Sequence, residues 1–434
     1  MQSRKFYAKD ILNIAFPIII GNLGFIMIGV GDVIVAGRHS TNTLAAVSLA
    51  TAITNCIMML GIGILGSISA ILSNYRGEGK NIKKYFCPSI KFSIILALIT
   101  SSLIFSCIPF IDKLGFASEL TPIIKDYFFI TAFAAFGGYL HCAIKEYLQA
   151  FEIVLFPNLL TIFCIFLNLV LNIIFVFGYG FVPEMGAIGL AISSLIVRYF
   201  MGLVLLIYSF FKVEIGNIND NQYYKDLLKV GFPAAMAIMI EFTGFNIIAV
   251  VMGRVNGIYA AAHNIICTLT SVSFMIPLAI SNATAVKVGY TNGAKMFASL
   301  KKYAFTGIKI SVGFMVFSAI IVGLFARFWT GLFTEDIELI KICVPIVYLL
   351  CFFQIFDGLQ VSLSGIFRGI KKTKIVMISN FIGYWIIAFP IGCILAFKFR
   401  LNLLGFWYAL GFSAVVLCTI MLLSMLKNFK KLGD

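Results

Sequence analysis

The segment Asp10-Ile-Leu-Asn-Ile-Ala-Phe-Pro17 returns 216 residues later in the chain as Asp226-Leu-Leu-Lys-Val-Gly-Phe-Pro233. The same offset, without a gap, places Gly37-Arg38 on Gly253-Arg254 and Ala45-Ala46 on Ala261-Ala262. A match of this kind over more than thirty residues is not expected by chance. The chain is therefore predicted to contain two halves of similar structure.

The composition places this repeat in a lipid bilayer. Of 434 residues, 61% are hydrophobic and only 12% are charged, whereas about a quarter of the residues in a soluble protein are charged. The mean hydropathy of +1.02 agrees. The net charge of +15 is typical of a membrane protein that collects Lys and Arg in its cytoplasmic loops. Because no basic run, RNP motif or zinc motif is present, no nucleic-acid partner is expected.

Twelve apolar runs are long enough to cross the membrane, since a spanning helix needs about 20 such residues. They lie near 11–36, 43–74, 89–111, 120–143, 157–179, 186–211, 229–253, 260–286, 303–326, 339–366, 375–397 and 403–426. The sequence therefore predicts an all-α polytopic membrane protein of twelve transmembrane helices. Because each half holds an even number of helices, the two six-helix lobes should be related by a pseudo-twofold axis along the membrane normal.

The predicted organisation is an N-lobe over residues 1–211, a cytoplasmic linker over 212–228 and a C-lobe over 229–434. Lys and Arg are concentrated in the loops on one side, which predicts that both termini are cytoplasmic. The short termini favour a bacterial inner membrane protein, and a monomer is expected. Pro17 and Pro233 predict bends near the starts of the first and seventh helices.

Two parallel repeats are a plan typical of secondary transporters. No phosphate-binding loop is present, because Gly77-Glu-Gly-Lys80 is followed by Asn81. The H-E-x-x-H and G-x-S-x-G motifs are also absent from the sequence. We therefore expect neither an ATP-driven pump nor an enzyme.

Three carboxylates qualify as groups at membrane depth, where an ionisable group is costly and normally marks function. They are Asp32 in the first span, Glu241 in the seventh and Asp357 in the tenth. By the repeat offset they face Ile248, Phe25 and His141, respectively. A residue needed only for the repeated fold would be expected in both halves, so this asymmetry favours ion coupling. The coupling ion is either a proton or Na⁺, for which all three are candidate ligands; no other cofactor is expected.

Asn168 and Asn172 lie one turn apart on the fifth span, so their amides share a face and can join Asp32 around a cation. Interhelical hydrogen bonding is the alternative, as it is for Ser194 on the sixth span. One turn beyond Ser194, Arg198 either pairs with Asp32 or Glu184, or reaches an interface.

Aromatic side chains can bind organic cations through cation–π contacts. The candidates for a substrate cleft are Phe274, Phe353 and Tyr384. These three residues carry no motif of their own.

Several motifs in order along the whole chain resemble one family. They are Gly31-Asp-Val-Ile-Val-Ala-Gly37 with Leu44-Ala-Ala-Val47, Asn168 and Asn172 before Phe175-Val-Phe-Gly178, Gly186-Ala-Ile-Gly189, Gly231-Phe-Pro233 with Glu241, Ala261-Ala-His263 with Phe274 and Pro277, and Gln354-Ile-Phe-Asp357-Gly-Leu-Gln360 with Arg368-Gly369. Together they are similar to the multidrug and toxic compound extrusion (MATE) family, in its NorM-like branch.

The resemblance implies an antiporter that exports amphipathic organic cations in exchange for Na⁺ or H⁺ by alternating access. It places Glu241 and Asp357 in a C-lobe coupling site. It places Asp32, Asn168, Asn172 and Ser194 in an N-lobe site. The chain departs from the family pattern at Phe353, where related sequences can carry Tyr, and at Arg198.

Two other functions compete with this prediction. A lipid or lipid-linked oligosaccharide flippase of the same superfamily would need a basic cavity, which Arg198 favours and the three carboxylates oppose. A membrane-embedded enzyme would need a catalytic dyad or metal motif, and the sequence contains neither.

Overall fold

The structure is a computed structural model that describes residues 4–431, and it confirms the predicted all-helical membrane architecture. Within residues 4–431, twelve helices are long and apolar enough to cross a membrane. They are α1 (Lys5–His39), α2 (Thr41–Gly77), α3 (Ile82–Leu114), α4 (Leu120–Ala150), α5 (Leu155–Phe177), α6 (Ala187–Lys212), α7 (Asn221–Val255), α8 (Gly257–Gly293), α9 (Phe297–Leu324), α10 (Ile337–Gly369), α11 (Lys374–Lys398) and α12 (Asn402–Lys431). Between residues 4 and 431 there is no β-strand. The predicted cytoplasmic location of the two termini concerns residues 1–3 and 432–434, which lie outside this range.

Large apolar side chains cover the outside of the helices. Phe16, Phe25 and Phe166 are each more than 60% exposed, although no water-facing surface would tolerate so many similar residues. Such a surface is stable against lipid tails, so the exposed residues explain the high hydropathy of the chain.

The connection between α6 and α7 is shorter than the predicted linker of 212–228. Helix α7 already begins at Asn221, because Asp220 caps it. The Asp220 carboxylate accepts hydrogen bonds from the backbone N–H groups of Gln222 at 2.9 Å and Tyr223 at 3.4 Å. The first turns of α7 are polar, so hydropathy alone did not detect them.

The chain forms two compact units whose boundaries fall inside α1 and α7. The first unit comprises residues 20–235, and the second comprises residues 4–19 together with 236–431. The predicted lobes of 1–211 and 229–434 thus differ from the compact units at the beginning of each half. Pro17 and Pro233 each lie two residues before a boundary, where a residue without an N–H donor weakens the helix.

Asp10 and Asp226 occupy equivalent positions of the repeat, and each forms contacts within the unit that contains the start of its helix. Asp10 forms an ion pair with Lys287 at 2.8 Å and accepts a 2.5 Å hydrogen bond from the Tyr303 hydroxyl, all within the second unit. Asp226 accepts a hydrogen bond from the Tyr75 hydroxyl at 3.3 Å within the first unit. At these two repeated positions, the aspartate therefore connects its helix to other helices of the same unit.

Helix α11 departs from α-helical geometry around Pro390. Two stretches of wider, π-helical backbone, Phe381–Ala388 and Ile394–Lys398, flank the α-helical turn Phe389–Cys393. Proline has no N–H donor and its ring crowds the carbonyl four residues earlier, which favours such widening. The first stretch contains Tyr384, so it sets the direction of a side chain that belongs to the candidate site.

Candidate functional site

The first group of polar side chains lies inside the first unit and joins α1, α5 and α6. One carboxylate oxygen of Asp32 accepts a hydrogen bond from the Asn172 amide at 2.6 Å, and the other lies 3.5 Å from the Ser194 hydroxyl. The same Asn172 nitrogen also donates to the Asn168 carbonyl oxygen at 3.1 Å. The structure therefore brings together all four residues that the sequence predicted for the N-lobe, and we name them the Asp32 cluster.

The Asp32 cluster keeps unused hydrogen-bonding capacity. Asn168 and Asn172 are almost completely buried, whereas Asp32 is half-buried. Within residues 4–431, the Asn168 side-chain nitrogen and the Asn172 side-chain oxygen have no hydrogen-bond partner. Buried polar atoms normally have a partner, so these two atoms are suited to bind a ligand or a water. The cluster supplies hard oxygen atoms of the kind that coordinate Na⁺.

The second group of polar side chains lies inside the second unit and joins α7, α10 and α11. Glu241 accepts hydrogen bonds from Gln360 at 3.0 Å and from Asn380 at 3.4 Å, both on one carboxylate oxygen. The Tyr384 hydroxyl donates to the Gln360 carbonyl oxygen at 3.4 Å. Together with Asp357, these residues form what we name the Glu241 cluster.

Asp357 is the most enclosed carboxylate of the three. It is 2% exposed, and one of its oxygens has no hydrogen-bond partner among the described residues. It lies within electrostatic range of Glu241. Two negative charges in such apolar surroundings repel each other, so a proton or a cation is needed to compensate them. The geometry of this pair therefore suits reversible cation binding.

Two members of the Glu241 cluster, Gln360 and Asn380, were not among the residues predicted from the sequence. Gln360 lies one turn after Asp357 on α10, so its shared face was a usable signal. Asn380 is a single amide in an apolar span, and its position gave no indication of which helix it faces. Its side-chain nitrogen also donates to the Ala237 carbonyl at 3.2 Å, which ties α11 to α7.

The three predicted cleft aromatics have different surroundings. Phe353 and Tyr384 are 1% exposed and both pack against Phe245, with ring centroids 6.0 and 5.7 Å apart. Phe274 is half-buried on α8. Phe353 offers no hydroxyl to the Glu241 cluster, and Tyr384 is the residue that supplies one.

Arg198 forms neither of the ion pairs considered from the sequence. Glu184 instead lies 2.8 Å from the His39 ring. Asp32 is within electrostatic range of Arg198, but no carboxylate oxygen within residues 4–431 lies within 4.0 Å of the guanidinium. One guanidinium nitrogen lies 3.2 Å from the Met58 sulfur.

Neither cluster contains three side chains of the types that bind metal ions most strongly, which are His, Cys, Asp and Glu. In the described part of the chain, no three His, Cys, Asp or Glu side chains are grouped so that they could hold a metal ion. The clusters combine one or two carboxylates with amides and a hydroxyl, which suits a weakly bound, exchangeable cation rather than a resident metal.

Comparisons with known proteins agree with this fold. The MatE family model matches residues 17–174 and 233–394, which begin at the two repeated prolines. A probable multidrug resistance protein NorM from Photorhabdus laumondii is 28% identical over 419 residues, covering 93% of this chain and 91% of the relative. A multidrug resistance protein NorM from Photobacterium profundum is 26% identical, covering 89% of this chain and 87% of the relative.

Solved structures share the fold over nearly the whole length. The eukaryotic MATE transporter AtDTX14 superposes with a TM-score of 0.89 at 20% identity, covering 99% of this chain and 98% of that protein. A MOP superfamily transporter from Pyrococcus furiosus, described as having a binding pocket of reversed polarity, gives 0.87 at 21% identity, covering 99% of this chain and 97% of that protein. The match to the family model and the named relatives together define the class as a polytopic membrane transporter and not an enzyme. The chain belongs to the MatE family.

Proposed function

We propose that this transporter is a multidrug efflux antiporter that exports amphipathic organic cations in exchange for Na⁺ or H⁺ by alternating access. The observation that carries the proposal is the Glu241 cluster, where two carboxylates lie within helices that cross the membrane and one oxygen of Asp357 has no partner among residues 4–431. A carboxylate is costly at this depth unless it is used. The names of the relatives support the multidrug part of the proposal.

We assign the Asp32 cluster and the Glu241 cluster to ion coupling or cationic cargo. Both offer oxygen ligands and a negative charge in surroundings of low dielectric constant, where attraction to a cation is strong. Of the aromatic residues, we assign substrate contact to Phe274 first, because Phe353 and Tyr384 are enclosed.

The organisation proposed for the working protein follows from the charge distribution. The linker and both termini lie on the cytoplasmic side of a bacterial inner membrane, because Lys and Arg concentrate in the loops on that side. The two halves of 1–211 and 229–434 act as the lobes of a monomer.

Ethidium efflux from cells that lack their own pumps tests the proposal. Wild type is compared with Glu241→Gln, Asp357→Asn and Asp32→Asn, with and without Na⁺ at fixed pH. We expect wild type to export the dye and all three variants to export it at least tenfold more slowly, as expected when a charge-compensating contact is lost. Export by all three variants that is as fast as export by wild type, at matched expression, would contradict the proposal.

A lipid flippase is the second candidate function, and Arg198 is the observation that favours it. Among residues 4–431, no carboxylate oxygen lies within 4.0 Å of the Arg198 guanidinium. Such a guanidinium can bind the phosphate of a lipid headgroup. A labelled phospholipid in reconstituted vesicles distinguishes the two functions, because a flippase moves the lipid between leaflets and a drug antiporter does not.

A further inference from the structure

The second unit carries six lysines at the end where α9 and α11 begin and α12 ends. Consecutive membrane helices run in opposite directions, so these three helix ends lie on the same side of the unit. The six residues, which we name the Lys427 patch, are Lys301 and Lys302 on α9, Lys374 on α11, and Lys427, Lys430 and Lys431 on α12. The lysines of α11 and α12 are exposed, and those of α9 are half-buried.

Two contacts hold these helix ends together. The Lys372 ammonium, in the connection between α10 and α11, donates a hydrogen bond to the Asn428 carbonyl oxygen on α12. The Phe429 ring on α12 packs edge to face against Phe305 on α9, with ring centroids 6.2 Å apart. The two lysines of α9 precede Phe305 by one turn, so they lie on the side of α9 that contacts α12. The end of α12 is therefore flanked by α9 and by the start of α11.

The three lysines of α12 share one exposed face between these two neighbours. At 3.6 residues per turn, Lys427, Lys430 and Lys431 lie within about 100° of one another around the helix. Asn428 and Phe429, which make the two contacts, lie on opposite flanks of that face. The lysines of the patch therefore present their charges to the same region of the surface.

No carboxylate of the described chain balances these charges directly. From residue 358 to residue 431 the sequence contains neither Asp nor Glu. Within residues 4–431, no carboxylate oxygen lies within 4.0 Å of any lysine in the patch. The aspartate that α1 contributes to this unit, Asp10, is held by Lys287 at 2.8 Å and by the Tyr303 hydroxyl. Like charges one turn apart repel each other, so an anion from outside the chain would stabilise the patch.

The first unit pairs cations at the corresponding end with its own carboxylates. Lys80 lies 2.9 Å from Glu78, and Lys83 lies 2.8 Å from Glu214. The repeat offset of 216 residues places Lys430 of the patch at the position of Glu214. A surplus of Lys and Arg in cytoplasmic loops is general among membrane proteins, but it does not require one repeat to lose the carboxylates that the other keeps. The difference between the units favours an anionic ligand of the second unit.

Exposed apolar side chains continue the patch toward the interior of the membrane. On α12, Leu423 and Leu426 lie one turn before lysines of the patch, and on α11, Ile378 lies one turn after its lysine. All three side chains are exposed. A phospholipid matches both features, because its phosphate is negatively charged and its acyl chains are apolar. A free phosphate ion would use only the lysines.

We propose that the Lys427 patch binds the phosphate headgroup of an anionic phospholipid, whose acyl chains lie along Leu423, Leu426 and Ile378. The ammonium groups compensate the charge of the headgroup, and the headgroup relieves the repulsion among the lysines. Lys427 and Lys430, one turn apart on the exposed face of α12, are the central contacts. This inference goes beyond the proposed efflux function and does not depend on it.

Native mass spectrometry of the full chain, released from a neutral detergent, tests the proposal. The probes are dioleoylphosphatidylglycerol, which is anionic, and dioleoylphosphatidylcholine, which is zwitterionic and has the same acyl chains. We expect wild type to bind phosphatidylglycerol at least tenfold more tightly. A lysine near an anionic lipid contributes about fivefold in affinity. The double variant Lys427→Gln/Lys430→Gln should therefore bind phosphatidylglycerol about 25-fold more weakly, with its affinity for phosphatidylcholine unchanged.

Three controls separate the patch from other sources of the effect. Lys427→Arg/Lys430→Arg keeps both charges and should bind phosphatidylglycerol within about threefold of wild type. Lys80→Gln/Lys83→Gln removes two cations from the first unit, where each has a carboxylate partner, and should stay within about twofold of wild type. Inorganic phosphate in large excess should not displace the lipid, because phosphate lacks the acyl chains.

Four results would overturn the proposal. Equal affinity of wild type for the two lipids would exclude a site for anionic headgroups, and so would normal binding of phosphatidylglycerol by Lys427→Gln/Lys430→Gln. An equal loss of binding in Lys80→Gln/Lys83→Gln would assign the effect to the net charge of the protein. Displacement by inorganic phosphate would show that the acyl chains play no part. All four results leave the efflux proposal standing, because none of them measures export of a dye.

Discussion

Replacing Asp357 by asparagine is the substitution whose effect on cation binding is best defined by the structure. Asp357 is 2% exposed and has one oxygen without a partner in the described residues, so its charge acts in surroundings poor in water. The amide keeps the shape of the side chain and removes one negative charge. Any change in cation affinity therefore reports the electrostatics of the Glu241 cluster.

The expected loss of cation affinity follows from Coulomb's law. A cation about 4 Å from one carboxylate gains about 4 kcal/mol at an effective dielectric constant of about 20. Removing that charge removes this attraction, whereas the repulsion between Asp357 and Glu241 cancels because it is present both with and without the bound ion. The loss of about 4 kcal/mol corresponds to about a thousandfold loss in affinity.

Thermal unfolding of the purified protein in detergent measures this loss. The melting temperature is followed as Na⁺ replaces choline at fixed pH, and then as pH is lowered without Na⁺. A bound ion stabilises the folded state in proportion to the logarithm of its concentration divided by its dissociation constant. Asp357→Asn should need about a thousand times more of the coupling ion for the same stabilisation.

Asp112→Asn is the matched control for the loss of one carboxylate. Asp112 is exposed at the end of α3 and pairs with Lys125 at 2.7 Å. Exposed pairs of this kind contribute little to stability, so this variant should show the ion dependence of wild type. If Asp357→Asn also responded to Na⁺ and to pH as wild type does, cation binding by the Glu241 cluster would be refuted.

Three further predictions concern the remaining polar contacts. Asp10→Asn should lower the free energy of unfolding by about 2–3 kcal/mol, because it removes the negative charge that lies 2.8 Å from the buried Lys287 ammonium. Adding Lys287→Met should restore part of the loss in SDS titrations. Asn172→Leu should slow ethidium efflux at least tenfold at normal expression, since the 2.6 Å bond to Asp32 is lost. Gln360→Leu should lower the melting temperature more than Asp112→Asn does, because it removes three contacts of 3.0–3.4 Å.

The sequence predicted the membrane fold because hydropathy and the internal repeat can both be read directly from the order of residues along the chain. It also identified the members of the Asp32 cluster, since Asn168 and Asn172 share a helical face and Asp32 is costly where it stands. For Asn168 and Asn172, the spacing along one helix carried the information.

The features that were missed depend on contacts between helices. The place of Asn380 beside Glu241 is fixed by the packing of α11 against α7, which no periodicity reports. The exchange of the first residues of α1 between units depends on the partners of Asp10, which come from nearly 300 residues away. The start of α7 was missed because a polar first turn capped by Asp220 has no apolar signal.

The central claim, ion-coupled export of organic cations through the Glu241 cluster, is tested most directly in proteoliposomes. Ethidium is placed outside vesicles that hold either Na⁺ or protons at higher concentration inside, and uptake of the dye is followed by fluorescence. The account predicts that one of the two gradients drives uptake by wild type and that neither drives uptake by Glu241→Gln. Uptake that is independent of both gradients, or unchanged in Glu241→Gln, would contradict it.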